Sequence, residues 1–307
     1  METRPPGVVA DGDGADGVVA RWRRAWRAEV AEADAQALGD GDPRLATRRR
    51  DYGSYLFIVV DLVLAFVVAN ILSIPVVVGA VILFAVSGHS LTTTVGQRDL
   101  QTVWLQSAQF TLAALLATDA GVLLVLWYRR SRLRVGWRLF GLGADLRRGA
   151  GRAVLIGLLL GVVALVLSSA VDALLQRLGV YRTFHLDQNA QQKQLIDPLR
   201  HAPLWAVWGV ALAGTFVAPV AEELLFRGYI FRALAVRKGA PVAYVLSAFT
   251  FAAFHLLPAQ FLPLFVVGFV LCFAYHRTGN LLADITAHAF NNGVAFALSL
   301  LSLPFHF

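Results

Sequence analysis

Three apolar stretches of this chain carry ionisable side chains. Glu222-Glu223-Leu-Leu-Phe-Arg227 lies in one, Phe251-Ala-Ala-Phe-His255 in the next, and His288-Ala-Phe-Asn-Asn292 in a third. An ionisable group inside hydrocarbon is costly, so function is its default reading. Spacing then assigns roles. Glu223 and Arg227 are four apart, share a helix face and are placed to pair. Glu222 is turned about 100° away and is left free to act as a general base. His288 and Asn292 also share a face, and both can donate to one point, as an oxyanion hole requires. His255 can share a water with Glu222. Together these parts describe attack of water on a peptide carbonyl. Glu222, His255, His288 and Asn292 are the candidate catalytic residues, and Glu223 and Arg227 support them. Zinc is the competing chemistry, since two His and one or two Glu suit it. The sequence has no HExxH motif, and the ligands would come from three helices. The expectation is therefore a reaction without a metal or other cofactor, with zinc as the alternative. The bland reading is a polar network that joins helices. Asp61, Asp119 and Asp172 stand alone in earlier apolar stretches, each placed to bond to a neighbouring helix or to lie near an interface.

The elements that must position these residues are membrane helices. The chain has 307 residues, 57% hydrophobic and only 15% charged, and a mean hydropathy of +0.62. A soluble domain is about 45–50% apolar and about 25% charged, so this composition exceeds what one soluble core can hide. Apolar stretches at about 55–87, 102–128, 153–178, 203–237, 241–257, 262–275 and 281–303 predict an all-α polytopic transmembrane bundle of about seven to eight helices. Pro75 falls inside the first. Three regions follow: an N-terminal tail over 1–50, membrane helices over 51–178, and the chemistry-bearing membrane core over 203–303.

Charge sets the orientation. The tail holds nine Arg and nine acidic residues, which cancel. The remaining chain has 18 basic against 11 acidic residues, so it carries the net +7. Its Arg residues cluster between alternate spans, including Arg129 to Arg152 and Arg232 to Lys238. The loops 88–101 and 179–202 are poor in them. That pattern excludes nucleic acid as the natural partner and predicts a cytoplasmic N-terminus in the cell membrane. No secretory leader is read at the N-terminus. Residues 17–38, with Trp22 and Trp26 among Arg21, Arg23, Arg24 and Arg27, read either as an amphipathic helix on an anionic surface or as a solvated tail. Cys272 is the single cysteine and reads as a small packed apolar residue.

Depth supports convergence. Glu222 precedes Lys238 by 16 residues, and His255 follows Ala240 by 15. Two antiparallel helices joined there place both side chains at one depth.

The ordered motifs Pro219-x-x-Glu222-Glu223-Leu-Leu-Phe226-Arg227-Gly228, Phe251-x-x-x-His255 and Arg277-Thr278-Gly279-Asn280-Leu281 leading to His288-x-x-x-Asn292 resemble those of the CPBP family (CAAX protease and bacteriocin-processing). The resemblance covers roughly residues 203–296. It implies a glutamate-dependent intramembrane endopeptidase, similar to the type II CAAX prenyl endopeptidase. In that reading Glu222 and His255 activate water, and His288 and Asn292 bind the oxyanion. Peptides or membrane proteins are the implied substrates. The alternatives are a non-catalytic membrane partner or bacteriocin-immunity protein that keeps the fold, and a proton-coupled transporter that uses the same residues as a relay.

Overall fold

The structure, a computed structural model, describes residues 17–25, 27, 28, 31, 54–86, 107–133, 136–142, 149–187, 196–200 and 202–301. Most of the N-terminal tail, the loop at 88–101 and residues 188–195 of the loop at 179–202 lie outside the described residues. So do Arg134, Arg147 and Arg148.

The described residues are mostly helical, and none of them forms a strand. The helices are α1 (Tyr55–Val86), α2 (Ala108–Leu133), α3 (Ala150–Arg177), short α4 (Val180–Thr183), α5 (Leu204–Lys238), α6 (Ala240–Phe254), α7 (Phe261–Thr278) and α8 (Leu281–Leu301). Five of these, α1, α2, α3, α5 and α7, are long and apolar enough to cross a bilayer, and α6 is a shorter apolar helix. Each of the seven apolar stretches read from the sequence overlaps one of these helices. In hydrocarbon a backbone must satisfy its own hydrogen bonds, which near-continuous apolar runs of this length do as helices. Their ends follow local rules. Gly239 at φ +88 closes α5 and Pro241 opens α6, while Gly279 at φ +62 closes α7.

Helix α1 pairs with α2, α6 with α7, and α3 lies against both α7 and α8. Small residues set the closest approaches. Ala153, Gly157, Gly161 and Ala164 form one buried stripe on α3. A Cβ built on Gly157 would stand 2.5 Å from the Ala283 carbonyl oxygen, and one on Gly161 would stand 3.0 Å from that of Ala287. Helix α8 therefore runs backbone to backbone against α3 over the turn that carries His288.

Helix α5 is continuous but not uniformly α-helical. It holds π turns at Ala213–Val217 and Leu224–Phe231, with the α-helical stretch Ala218–Glu223 between them. Such turns insert a residue into the helical ladder and recur at functional sites. Both glutamates stand at the end of the stretch they bracket.

Two of the lone aspartates tie helices together. Asp61 on α1 accepts hydrogen bonds from Arg129 of α2 and from the Tyr229 hydroxyl of α5, the latter at 2.8 Å. Asp172 accepts the Tyr181 hydroxyl at 2.5 Å. Cys272 is a free, buried thiol packed in the apolar core. Residues 17–25 are helical, and Trp22 turns inward rather than toward lipid or water. It is 6% exposed and stacks on Tyr275 at 4.7 Å, with Phe231 edge-on at 6.1 Å.

Candidate active site

The polar residues of α5, α6 and α8 meet inside the bundle as two linked clusters. The first is built on Glu223, which is fully buried with Arg227. Arg227 Nη1 donates to Glu223 Oε1 at 2.9 Å, and its Nη2 donates to the Gly268 carbonyl at 3.0 Å. Its guanidinium lies 4.6 Å from the Phe251 ring centroid. The expected pairing of Glu223 with Arg227 is therefore present, and α7 contributes to it. The same Glu223 oxygen stands 2.7 Å from His288 Nδ1. A carboxylate oxygen paired with arginine only accepts, so His288 donates from Nδ1.

The second cluster joins Glu222 and His255. Glu222 Oε2 lies 3.8 Å from His255 Nε2, and both side chains are partly accessible, at 17% and 23%. His255 Nδ1 is 2.8 Å from the Phe251 carbonyl. A carbonyl also only accepts, so Nδ1 carries the proton and Nε2 of the neutral ring presents a lone pair toward Glu222. The separation is too long for a direct hydrogen bond and suits a bridging water. His255 caps the C-terminus of α6, and Leu256 follows in the left-handed region at φ +54, so a strained turn adjoins the imidazole.

Asn292 makes a backbone contact that the sequence reading did not include. Its Nδ2 donates to the Gly214 carbonyl at 3.0 Å, in the first π turn of α5. One amide hydrogen is thus taken by backbone, and the second is left over. His288, held at Nδ1 by Glu223, can donate through Nε2 only when both ring nitrogens carry protons.

Two carboxylates absent from the candidate set belong to this neighbourhood. Asp119 of α2 is 3% exposed, its Oδ2 has no hydrogen-bond partner, and its charge interacts with Glu222 and His288. It was read only as a lone intramembrane aspartate, because nothing in the sequence says which helix α2 faces. Asp284 is fully buried one turn before His288, and its charge interacts with Glu223 and Arg227. Its oxygens make no hydrogen bond to another residue. The spacing of Asp284 and His288 was a legible signal, since residues four apart share a face.

Among the described residues no three His, Cys, Asp or Glu side chains are grouped to hold a metal ion. Glu223 and His288 spend their facing atoms on each other and on Arg227.

The fold and these clusters define a polytopic helical membrane protein with a buried Glu/His/Arg site. Comparison with known proteins gives the resemblance a firm extent. Residues 203–294 match the family model described as Type II CAAX prenyl endopeptidase Rce1-like. Among curated proteins the chain is 31% identical over 74 residues to UPF0177 protein YxdF of Lactococcus lactis, covering 24% of this chain and 40% of that one. It is 26% identical over 121 residues to "Putative membrane peptidase YdiL" of Bacillus subtilis, covering 39% of this chain and 48% of that one. The chain thus spans less than half the length of either relative. No solved structure matches.

Proposed function

We propose that the protein is an intramembrane endopeptidase that cleaves peptide or membrane-protein substrates with water activated by Glu222 and His255. The observation that carries this reading is the 3.8 Å gap between Glu222 Oε2 and Nε2 of His255, whose Nδ1 faces the Phe251 carbonyl. A water in that gap donates one hydrogen to each acceptor, which points its lone pair outward at a substrate carbonyl. As the oxygen attacks the carbonyl carbon, its proton passes to Glu222. The free amide hydrogen of Asn292 stabilises the developing oxyanion, joined by His288 Nε2 when that ring is doubly protonated. Collapse of the tetrahedral species breaks the C–N bond, and Glu222 returns the proton to the leaving amine. Glu223 and Arg227 hold His288 and do not touch the reacting atoms. No step needs a metal.

The family match over 203–294 and the name of the Bacillus subtilis relative support a membrane protease. Orientation follows the charge. Arg129, Arg130, Arg152, Arg237 and Lys238 sit at the helix ends that meet the loops richest in arginine, which makes that end cytoplasmic. The protein then resides in the cell membrane with its N-terminus inside.

The test is terminal-peptide mass spectrometry of membrane fractions from cells that carry wild-type protein or Glu222→Gln. New termini that depend on Glu222 and survive chelation support the reading. An identical set of termini in both cells rejects it, and loss on chelation rejects its metal-free form.

A further inference from the structure

A cavity separate from the proposed active site opens at the basic end of the bundle. It has a volume of about 430 Å³ and is lined by Arg21, Trp22, Arg232, Thr278, Gly279 and Asn280. Three distant pieces of chain build it: the N-terminal segment, the last turns of α5, and the turn between α7 and α8. Trp22, stacked on Tyr275, anchors the segment to the core. The neighbouring Arg21 lies along the turn, since a Cβ built on Gly279 would stand 3.9 Å from its Nη2.

Arg232 is the unusual member. It is only 7% exposed. Its Nη1 donates to the Arg138 carbonyl, and its guanidinium lies 5.8 Å from the Trp22 ring centroid, so the fork is held in place. Its buried Nε has no hydrogen-bond partner. No carboxylate among the described residues forms an ion pair with it. A buried cation without a counter-charge is costly. Helix α8 begins at Leu281 beside the cavity, and its dipole adds positive potential there.

We propose that this cavity binds a phosphate-bearing anion, with Arg21 and Arg232 as its charged contacts. Planar guanidinium groups match phosphate oxygens in geometry as well as charge. The cavity lies where the helices end and the arginines gather, at headgroup level, so an anionic phospholipid is the source at hand. Inorganic phosphate carries the same chemistry. Either ligand would join Arg21 to Arg232 and so clamp the N-terminal segment onto α5.

The experiment uses the full chain, delipidated in neutral detergent. Phosphatidylglycerol and phosphatidylcholine are titrated and retention is read by native mass spectrometry, and inorganic phosphate is added in thermal unfolding. Wild type should hold phosphatidylglycerol over phosphatidylcholine, and Arg21→Gln should lose that preference by on the order of tenfold. Arg21 is exposed, so the lipid-free Tm of that variant should not move. Arg21→Lys should restore part of the binding. Arg232→Gln should also weaken binding, but it removes the bond to Arg138, so the Arg21 pair decides. Stabilisation of wild type, but not of Arg21→Gln, by inorganic phosphate makes free phosphate the source. Retention unchanged in Arg21→Gln overturns the proposal. So does equal retention of both lipids with no response to phosphate.

Discussion

His288 Nδ1 and Glu223 Oε1 stand 2.7 Å apart, and the same oxygen receives Arg227 Nη1 at 2.9 Å. One carboxylate oxygen thus links α8 to α5, and through Arg227 and the Gly268 carbonyl the link extends to α7. All three side chains are buried, so the link is unscreened by water. It fixes the rotation of the His288 ring without spending Glu222.

Arg227 is the least replaceable member of that link. Arg227→Ala leaves Glu223 buried with the His288 hydrogen bond but without the arginine's charge, and breaking such a buried pair costs about 3–5 kcal/mol in comparable cases. Arg227→Lys should recover little, because one ammonium cannot meet both the carboxylate and the Gly268 carbonyl in the arginine's planar geometry. Thermal unfolding in detergent should place both variants well below wild type. A lysine variant as stable as wild type would refute the two-contact role.

The adjacent glutamates should separate by phenotype. Glu222→Gln removes the proton acceptor of the proposed reaction while the Glu223–Arg227–His288 link stays whole. Cleavage should be nearly abolished with Tm preserved. Glu223→Gln breaks the link, so cleavage and Tm should fall together. Equal losses of both quantities in the two variants would remove the distinction.

Asn292 combines a structural and a catalytic contact. Asn292→Ala should lower kcat by on the order of 10²–10³, with little change in KM, if its second amide hydrogen meets the oxyanion. It also strands the Gly214 carbonyl of the π turn, which should lower Tm modestly, by about 1–3 kcal/mol of stability. Steady-state kinetics beside melting curves resolves the two. An unchanged kcat would remove Asn292 from the chemistry.

Glycine positions supply a graded stability test on α3. A Cβ at Gly157 would stand 2.5 Å from the Ala283 carbonyl oxygen and 2.7 Å from Thr286 Cβ, whereas one at Gly151 meets nothing within 4 Å. Gly157→Ala should force α8 away and lower both Tm and cleavage. Gly151→Ala should hold Tm or raise it, by up to about 1 kcal/mol of stability from helix propensity. Gly228→Ala should resemble Gly157→Ala, because its Cβ would come within 2.2 Å of the Phe140 carbonyl oxygen.

Orientation is testable with single cysteines in a Cys272→Ala background. Phe184 and Lys238 are exposed beyond opposite ends of the bundle. An impermeant maleimide should label Phe184→Cys in intact cells and Lys238→Cys only after permeabilisation. The reverse pattern would invert the protein in the membrane.

The helices were legible because length and apolarity decide them in a bilayer, and within the described residues most ends hold to within a few residues. The approach of Glu222 to His255 was legible too, because two antiparallel helices and a short turn fix relative depth. The rotation of each side chain was not. The π turns at 213–217 and 224–231 shift every later residue on α5 around the axis, and no residue type marks them. His288 and Asn292 do share a face of α8, but their partners on α5 were not legible: His288 meets Glu223 and Asn292 meets the Gly214 carbonyl in the first π turn. Trp22 was misplaced for another reason. An arginine-rich helix with a tryptophan reads alike whether the ring meets lipid or the Tyr275 ring.

The glycine stripe on α3 also governs how a long substrate could approach. Keyed into α3 at backbone distance, α8 cannot step aside without tearing open that seam. The opposite wall, α2, meets α5 through leucine side chains: Leu112 packs over Gly209, and near Gly214 the nearest atom to an added Cβ is Leu115 Cδ2 at 3.9 Å. Leucines rotate and backbones do not. On the proposed reading, a polypeptide arriving from the lipid therefore finds its easier path between α2 and α5, the two helices that carry Asp119 and Glu222.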